Sequence, residues 1–453
     1  MLWSGRSAAY ESQHQLQTIA WEEFMKAKSF ALALSGAVAG VMLGLPAMAQ
    51  EPIKIGSSLP LTGGFAITGQ KHKEGFEMCI DKINENGGIL GRQVELIVSD
   101  NRSDTETAMN QYERLINVDG ADLLFGTFSS KLTFPVSSVI ARNNMIHAVP
   151  SGGALRIWEQ GHKNMFYFQQ VPGEYIGKSI ADAMVELVGD ERPKTAAVVN
   201  ADDFFANAIK AGLVGEKVMD PGSGNVVVDM APGFLSSGGI EVVYSETWPE
   251  EGFSDWLNLA NSIKNSDAEF VVALTASAEE AVQLTRALKT VQASPKAIFM
   301  SQGTQVEFEE GLGADANGVM VYSSWDAAVP FQGTLSGEPY SNQDFVRDFQ
   351  AKYDRAADED SAIPFAVCQG IEQGIRGANS TDNAAVSAWL SARTADDPVK
   401  TVLGDFYWDA RGLAIDRAPL LVQWQDQKLE FVYPTKDLGD LVKPLVYPKP
   451  AWN

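Results

Sequence analysis

Two runs of short apolar segments, each separated from the next by an amphipathic stretch of helix length, constrain this chain more than any other feature. The first run is "IKIGSSL" (53–59), "QVELIVSD" (93–100), "ADLLFGTF" (121–128) and "MIHAVP" (145–150). Between the first two lies 69–86, with Phe76, Cys79, Ile80 and Ile83 on one helical face and Gly87-Gly88 ending it. A capping box at Ser103–Glu106 opens the next helix, which carries Met109, Leu115 and Ile116, and "PVSSVIARNN" supplies a third. "MFYFQQVP" (165–172) breaks the rhythm and reads as a crossing strand. The second run is "TAAVVNAD", "IEVVYSETW", "EFVVALTA", "AIFMSQG" and "GVMVYSSW", with helices near 175–188, 204–218, 254–265 and 278–291. Strand–helix–strand at this spacing dictates parallel sheets covered by helices on both faces. At 453 residues the chain exceeds one ordinary core. The expectation is therefore an α/β protein of two doubly wound parallel-sheet halves.

The remainder follows a different pattern. Helices are expected near 342–355, 363–377 and 384–393, then strands at "DFYWD", "LLVQWQ" and "KLEFVYP", and an extended Pro-rich end, "LVYPKPAWN". "DPGSGN", "APGFLSSGG" and "FQGTLSGEPYS" read as loop insertions.

The N-terminus carries an export signal. Met25-Lys-Ala-Lys28 is a short basic segment, Phe30–Leu45 is apolar with small residues, and Ala47-Met-Ala49 fits a small-x-small cleavage site. The apolar run falls short of the ~20 residues a membrane span needs. Residues 1–49 are thus expected to be a leader, with Met25 as the true start, leaving 404 residues (453 − 49) exported to an oxidising compartment. No cysteine stands at the cleavage site to carry a lipid anchor, and no later apolar run is long enough to cross a bilayer. The two cysteines, Cys79 and Cys368, could form a disulfide or stay as buried thiols on apolar helix faces; the sequence leaves both open.

Charge and motifs narrow the function. The leader contributes Arg6, Lys26 and Lys28 against Glu11, Glu22 and Glu23, so the net charge of −23 survives processing. That argues against nucleic acid and against anionic lipid as partners. Gly64-x4-Gly69-Gln70-Lys71 approaches a phosphate loop, but that loop needs Lys and then Ser/Thr directly after its last glycine. The three histidines that follow the leader, His72, His147 and His162, stand in no metal-ligand or Ser-His-Asp spacing. Asp202-Asp203, at a strand end, reads as a helix cap rather than a catalytic pair. No cofactor and no catalysis are expected. What remains is a set of strand ends rich in small, hydroxyl and aromatic residues: Thr62–Thr68, Phe128–Ser130, Pro150–Gly153, Phe204-Phe205, Thr275–Ser277 and Ser301–Thr304. In doubly wound sheets ligands bind beyond the carboxyl ends of strands, and two such edges facing each other make a cleft.

With these segments in order, the chain resembles the periplasmic solute-binding proteins of ABC importers, specifically the leucine/isoleucine/valine-binding, type I group. "IKIGSSLPLTGGFAITG" resembles that family's first strand and loop, "CIDKINENGGILGRQVELIVSDNRSD" its Asn-x-x-Gly-Gly-Ile-x-Gly segment, and "GTFSS" its Gly-x-x-Ser-Ser ligand loop. "ADDFF" stands where the family has Asp-x-x-Tyr-Gly, and "GDFYWDARG" resembles its late Gly-x-x-x-Phe-Asp-x-x-Gly. The resemblance implies lobes of 50–170 plus 324–404 and 171–323 plus 405–453, joined by hinge crossings near 168–172, 321–324 and 404–408. It also implies capture of a small solute by lobe closure and delivery to an ABC permease and its ATPase, by a periplasmic monomer of a Gram-negative bacterium. A sensing receptor of the same fold is the alternative, and an exported hydrolase using Ser129 or Ser130 a third. The implied ligand residues are Phe65, Thr68, Phe128, Ser129, Ser130, Ser151, Gly152, Gly153, Tyr175, Phe205, Thr275 and Gln302. Amino-acid binders of the family have Thr where Gly153 falls, Tyr where Phe205 falls and an acid near 301–304. Here that segment is the neutral "SQGT", with Glu174 and Asp203 as other sources of negative charge. The expected solute is accordingly neutral or anionic, with an amino acid, an amide or a small carboxylate all in view.

Overall fold

The computed structural model of the protein describes residues 50–220, 222–436 and 438–452. The expected leader, its cleavage site and the start at Met25 lie outside them. The first sheet has five parallel strands in the order β2-β1-β3-β4-β5: β1 (Ile53–Leu59), β2 (Val94–Asp100), β3 (Leu123–Phe125), β4 (His147–Val149) and β5 (Met165–Tyr167). Helices α1 (Ala66–Glu85), α2 (Thr105–Asn117) and α3 (Ser130–Arg142) make the crossovers. The cap of α2 is Asp104, which accepts from the Thr107 N–H, rather than the expected Ser103. Ser103 instead ties the first loop, accepting from Phe65 N and donating to Thr62 O.

The second sheet has seven strands. In chain order they are β6 (Thr195–Ala201), β7 (Glu241–Trp248), β8 (Phe270–Leu274), β9 (Ala297–Met300), β10 (Val319–Ser323), β11 (Leu420–Gln425) and β12 (Lys428–Tyr433). Their spatial order is β12-β11-β10-β9-β8-β6-β7, parallel except for the β11–β12 hairpin, which joins β10 antiparallel. Helices α4 (Gly173–Ala183), α5 (Phe204–Val214), α6 (Trp256–Asn265), α7 (Ala278–Thr290) and α8 (Val306–Leu312) serve this sheet. Strands β8 and β9 are buried at every position, as strands covered on both faces must be.

The last helices, α9 (Asn342–Tyr353), α10 (Glu359–Ala378) and α11 (Asn383–Ser391), return to the first half. Helix α10 lies along α1, and Cys79 and Cys368 are joined across that seam with Cα atoms 6.3 Å apart. The chain passes between the sheets three times: after β5, after β10 and on the way to β11.

The departures from expectation are local. The predicted helix 204–218 stops at Val214, because Gly215 turns left-handed with φ of 84°. The residues beyond pair instead, Lys217–Met219 antiparallel to Val226–Asp229, where a loop insertion was expected. "FQGTLSGEPYS" is likewise a hairpin, Gln332–Leu335 with Glu338–Ser341. "DFYWD" does not join the second sheet; Gly404–Phe406 pairs with Val399–Thr401 in a separate hairpin. Helix α10 begins at Glu359, earlier than the expected 363, capped by Asp358.

Helices α4 and α5 cross at backbone contact. A Cβ on Gly212 would stand 1.7 Å from the Glu174 carbonyl oxygen. Gly212→Ala must push the two helices apart, and it is expected to destabilise the fold by ~1–3 kcal/mol or more in urea unfolding. An unchanged midpoint would mean the crossing relaxes freely.

Candidate functional site

The carboxyl ends of both sheets face one cavity of about 640 Å³, counting its mouth. The first half supplies Phe65 before α1, Phe128, Ser129 and Ser130 at the start of α3, and Ser151, Gly152 and Gly153 after β4. The second supplies Asp203 and Phe205 at the start of α5, Ala276 after β8, Gln302 after β9 and Tyr322 on β10. Tyr167 and Gln169, beside the first crossing, Ser324 at the second, and Glu359, Asp360 and Ile363 of α10 complete the wall.

Nine of the residues expected from sequence thus meet around one space: Phe65, Phe128, Ser129, Ser130, Ser151, Gly152, Gly153, Phe205 and Gln302. Three do not line it. Thr68 lies behind the wall, its Oγ1 donating to Asp360 at 3.4 Å. Thr275 is buried one residue short, with an unpartnered hydroxyl. Tyr175 corrects the expectation outright: it is 37% exposed on α4, with its ring against Phe234. Helix α4 begins only two residues earlier, and its inward face there is taken by Gly173 and Glu174.

Hydrogen bonds already made inside the wall decide what each group offers a guest. Ser129 caps α3 by accepting from Leu132 N at 3.2 Å, and Ser130 accepts from Ala154 N at 3.2 Å. Both hydroxyls keep their protons to donate, at a helix N-terminus that favours negative charge. Ser151 is the reverse. His72 is fully buried, and burial pushes its pKa down to about 4, so the ring is neutral. Its Nδ1 donates to Thr68 O at 3.1 Å, which leaves Nε2, 3.3 Å from Ser151 Oγ, as an acceptor. The Ser151 proton therefore points to His72, while its oxygen accepts from Gln169 Nε2 at 3.3 Å. Because Nδ1 serves a carbonyl and not a carboxylate, the pair lacks the third member of a hydrolytic set.

Three carboxylates face the cavity. Asp203 is the cap of α5, as the sequence reading had it: Oδ1 accepts from Phe205 N at 2.8 Å and Ala206 N at 2.9 Å. Glu359 accepts from Thr304 at 2.6 Å and from Ser323 Oγ and Ser324 N at 2.9 Å, so its oxygens are committed to the other half. Asp360 accepts only from Gln305 at 3.2 Å and Thr68 at 3.4 Å. Burial raises all three acids, and Asp358 raises Glu359 and Asp360 further. The nearby Lys71 pairs with Asp358 at 2.8 Å and Glu307 at 2.9 Å. Burial opposes its charge, but Asp358, Asp360 and Glu307 together outweigh burial and hold it protonated.

Sequence reasoning missed Glu359 and Asp360. They stand in the acid run Asp358-Glu359-Asp360 that opens α10, where acids are ordinary partners of the helix N-terminus. Nothing in the run marks two of its members as buried against the opposite half. Tyr167, Gln169 and Tyr322 were read only as strand and crossing residues.

The aromatic wall is built from both sides. Phe65 and Phe128 meet edge-on at 5.5 Å, and Phe205 packs where Gly153 and Gly173 leave room, a Cβ at either being 2.8 Å from its ring.

Residues 52–428 match a family described as "Periplasmic binding protein". A curated relative, Leu/Ile/Val-binding protein homolog 7 of Brucella suis biovar 1 (strain 1330), is 25% identical over 422 residues, covering 90% of this chain and 97% of that one. Among solved structures, the branched-chain amino acid transporter substrate binding protein LivJ from Streptococcus pneumoniae, in complex with isoleucine, superposes with a TM-score of 0.68. It is 20% identical, covering 84% of this chain and all of that one. An ABC transporter solute binding protein from R. palustris, in complex with benzoate, gives 0.66 at 18% identity, covering 88% and 97%. At these identities the two structures establish the fold.

Proposed function

The chain belongs to the periplasmic binding protein family, and on that premise we propose that it captures a small polar solute by lobe closure and hands it to an ABC permease. The solute class is an amino acid, an amide or a small carboxylate, and an ATPase drives the permease. The lobes of this reading are 50–170 plus 324–404 and 171–323 plus 405–453, in a monomeric protein of the periplasm. The relatives named as Leu/Ile/Val-binding proteins support the transport reading.

The observation that carries the proposal is the shared wall: strand ends of two separate sheets enclose one cavity. Contacts across the gap support the closure reading. Lys71 reaches Glu307 at 2.9 Å, Lys131 reaches Glu250 at 2.8 Å, and Phe134 meets Phe204 at 5.3 Å. A ligand touching both walls shifts the open–closed balance by its differential affinity for the closed form.

Native mass spectrometry of freshly purified protein, followed by a tryptophan-fluorescence titration, tests capture. A bound small molecule released intact supports it; a molecule seated outside the cavity, or released chemically altered, defeats it. Phe205→Ala is expected to weaken binding by ~1–3 kcal/mol through lost apolar contact. Unchanged affinity would remove Phe205 from the contact surface.

A further inference from the structure

The cavity divides into a donor corner and an acceptor wall. The corner is the start of α3, where Ser129 and Ser130 keep hydroxyl protons to give. That is a place for one carboxylate. The acceptor wall is Asp203, Asp360 and Ser151 Oγ, the last already accepting from Gln169, and among the residues lining the cavity none is lysine, arginine or histidine.

Two of those acceptors are carboxylates with oxygen to spare. Asp203 is only 5% exposed, and both hydrogen bonds it accepts fall on Oδ1, leaving Oδ2 without a partner. Asp360 is 7% exposed, and both bonds it accepts fall on Oδ2. Lys71 favours the charged form of Asp360 from a distance, but its ion pairs are with Asp358 and Glu307. A buried charge with unmet hydrogen-bonding capacity is costly unless paired. The two acids come from opposite halves, Asp203 capping α5 and Asp360 opening α10. Phe65, Phe128 and Phe205 add aromatic surface to the lining, and an aromatic face attracts a cation.

We propose that the solute is an α-amino acid with a cationic side chain: its carboxylate sits at Ser129–Ser130, and its two nitrogen cations answer Asp203 on one wall and Asp360 on the other. One donor corner and two acids with an unpartnered oxygen match the hydrogen-bonding groups of a basic amino acid, while the oxygens of Glu359 are already engaged. A branched-chain amino acid would leave one of those two acids unanswered, and benzoate would leave both. This assignment rests on the capture reading above, and it reverses the neutral or anionic charge expected from sequence, because Asp360 enters the wall only in the folded chain.

The test titrates the full chain, stripped of bound solute by unfolding and refolding, with L-arginine, L-ornithine, L-isoleucine and benzoate, by isothermal calorimetry. Arginine or ornithine is expected to bind at least 100-fold more tightly than the other two. Asp360→Asn should cut that affinity at least 10-fold. The thermal midpoint of solute-free Asp360→Asn, compared with the parent chain, separates misfolding from lost recognition, and Asp203→Asn supplies a second variant. Tight binding of isoleucine or benzoate, with weak binding of the basic pair, overturns the assignment and leaves capture standing. Binding of none of the four also overturns it, and capture is then decided by the mass of the solute that co-purifies.

Discussion

Replacing Cys79 and Cys368 together by alanine lowers the free energy of unfolding by ~2–5 kcal/mol. The bond spans 289 residues of sequence and joins α1 to α10. Both sulfurs are buried, at 0% and 1% exposure, so alanine leaves small apolar voids and no unpaired polar group. In the unfolded chain the cross-link closes a very long loop, and loop-closure entropy, though it grows slowly, is large at that length. The bond lies within one half, away from the cavity wall, so solute affinity should change little. Guanidinium unfolding of the oxidised chain, the reduced chain and the double variant checks this. The last two should fall together below the first. If reduction leaves the midpoint unmoved, the helix seam holds without the bond.

The second large effect concerns Glu174 and pH. This residue is fully buried in the first turn of α4, with both oxygens accepting from Leu155 N at 3.1 and 3.0 Å. Burial pushes its carboxyl up to about 7, against the opposing pull of the hydrogen bonds to its own N–H and that of Leu155 and the charge of Arg156. Below pH 4.5 folded and unfolded chains both carry the proton. As pH rises through that value the unfolded chain ionises while the folded one resists, so the stabilisation is lost progressively up to and through pH 7. At pH 8 the loss is on the order of 3 kcal/mol. Glu174→Gln removes the titration and keeps an acceptor for Leu155. It should therefore be more stable than the parent chain at pH 8, with the gain vanishing near pH 4. Asp203, Glu359 and Asp360 are shifted in the same direction, but their contribution is common to both chains and cancels in the difference. A gap between the two chains that stays constant across this range would show that Glu174 ionises normally in the fold.

How far the sequence could be read depended on whether a property was written locally. The parallel strands announce themselves because β1, β8 and β9 are short apolar runs, buried on both faces and spaced by helices. The Asp203 cap was visible for the same reason, since a carboxylate at a strand-to-helix turn serves amides two and three residues on. The edge hairpins at 217–229 and 332–341 were not, because their few strand residues resemble loop sequence until a partner is placed opposite. In the cavity, the small and hydroxyl residues at strand ends were legible, since doubly wound sheets leave that edge open. The acids of α10 were not. Glu359 and Asp360 reach the wall across some 155 residues of intervening chain from Asp203, and only tertiary packing turns an ordinary helix start into part of a recessed surface. Tyr175 failed in the opposite sense: its helix was foreseen, but the phase of that helix was set by Gly173 and Glu174 facing inward.

Polar contacts across the cleft join Lys71 with Glu307, Lys131 with Glu250, Thr304 with Glu359 and Gln305 with Asp360, beside the apolar pair Phe134 and Phe204. Parting these surfaces wets polar atoms as well as hydrocarbon. Hydration of hydrocarbon raises heat capacity and hydration of polar groups lowers it, so the two contributions offset when the clamp opens. The enthalpy of parting these surfaces, whatever its size, then stays nearly the same in cold solution as in warm.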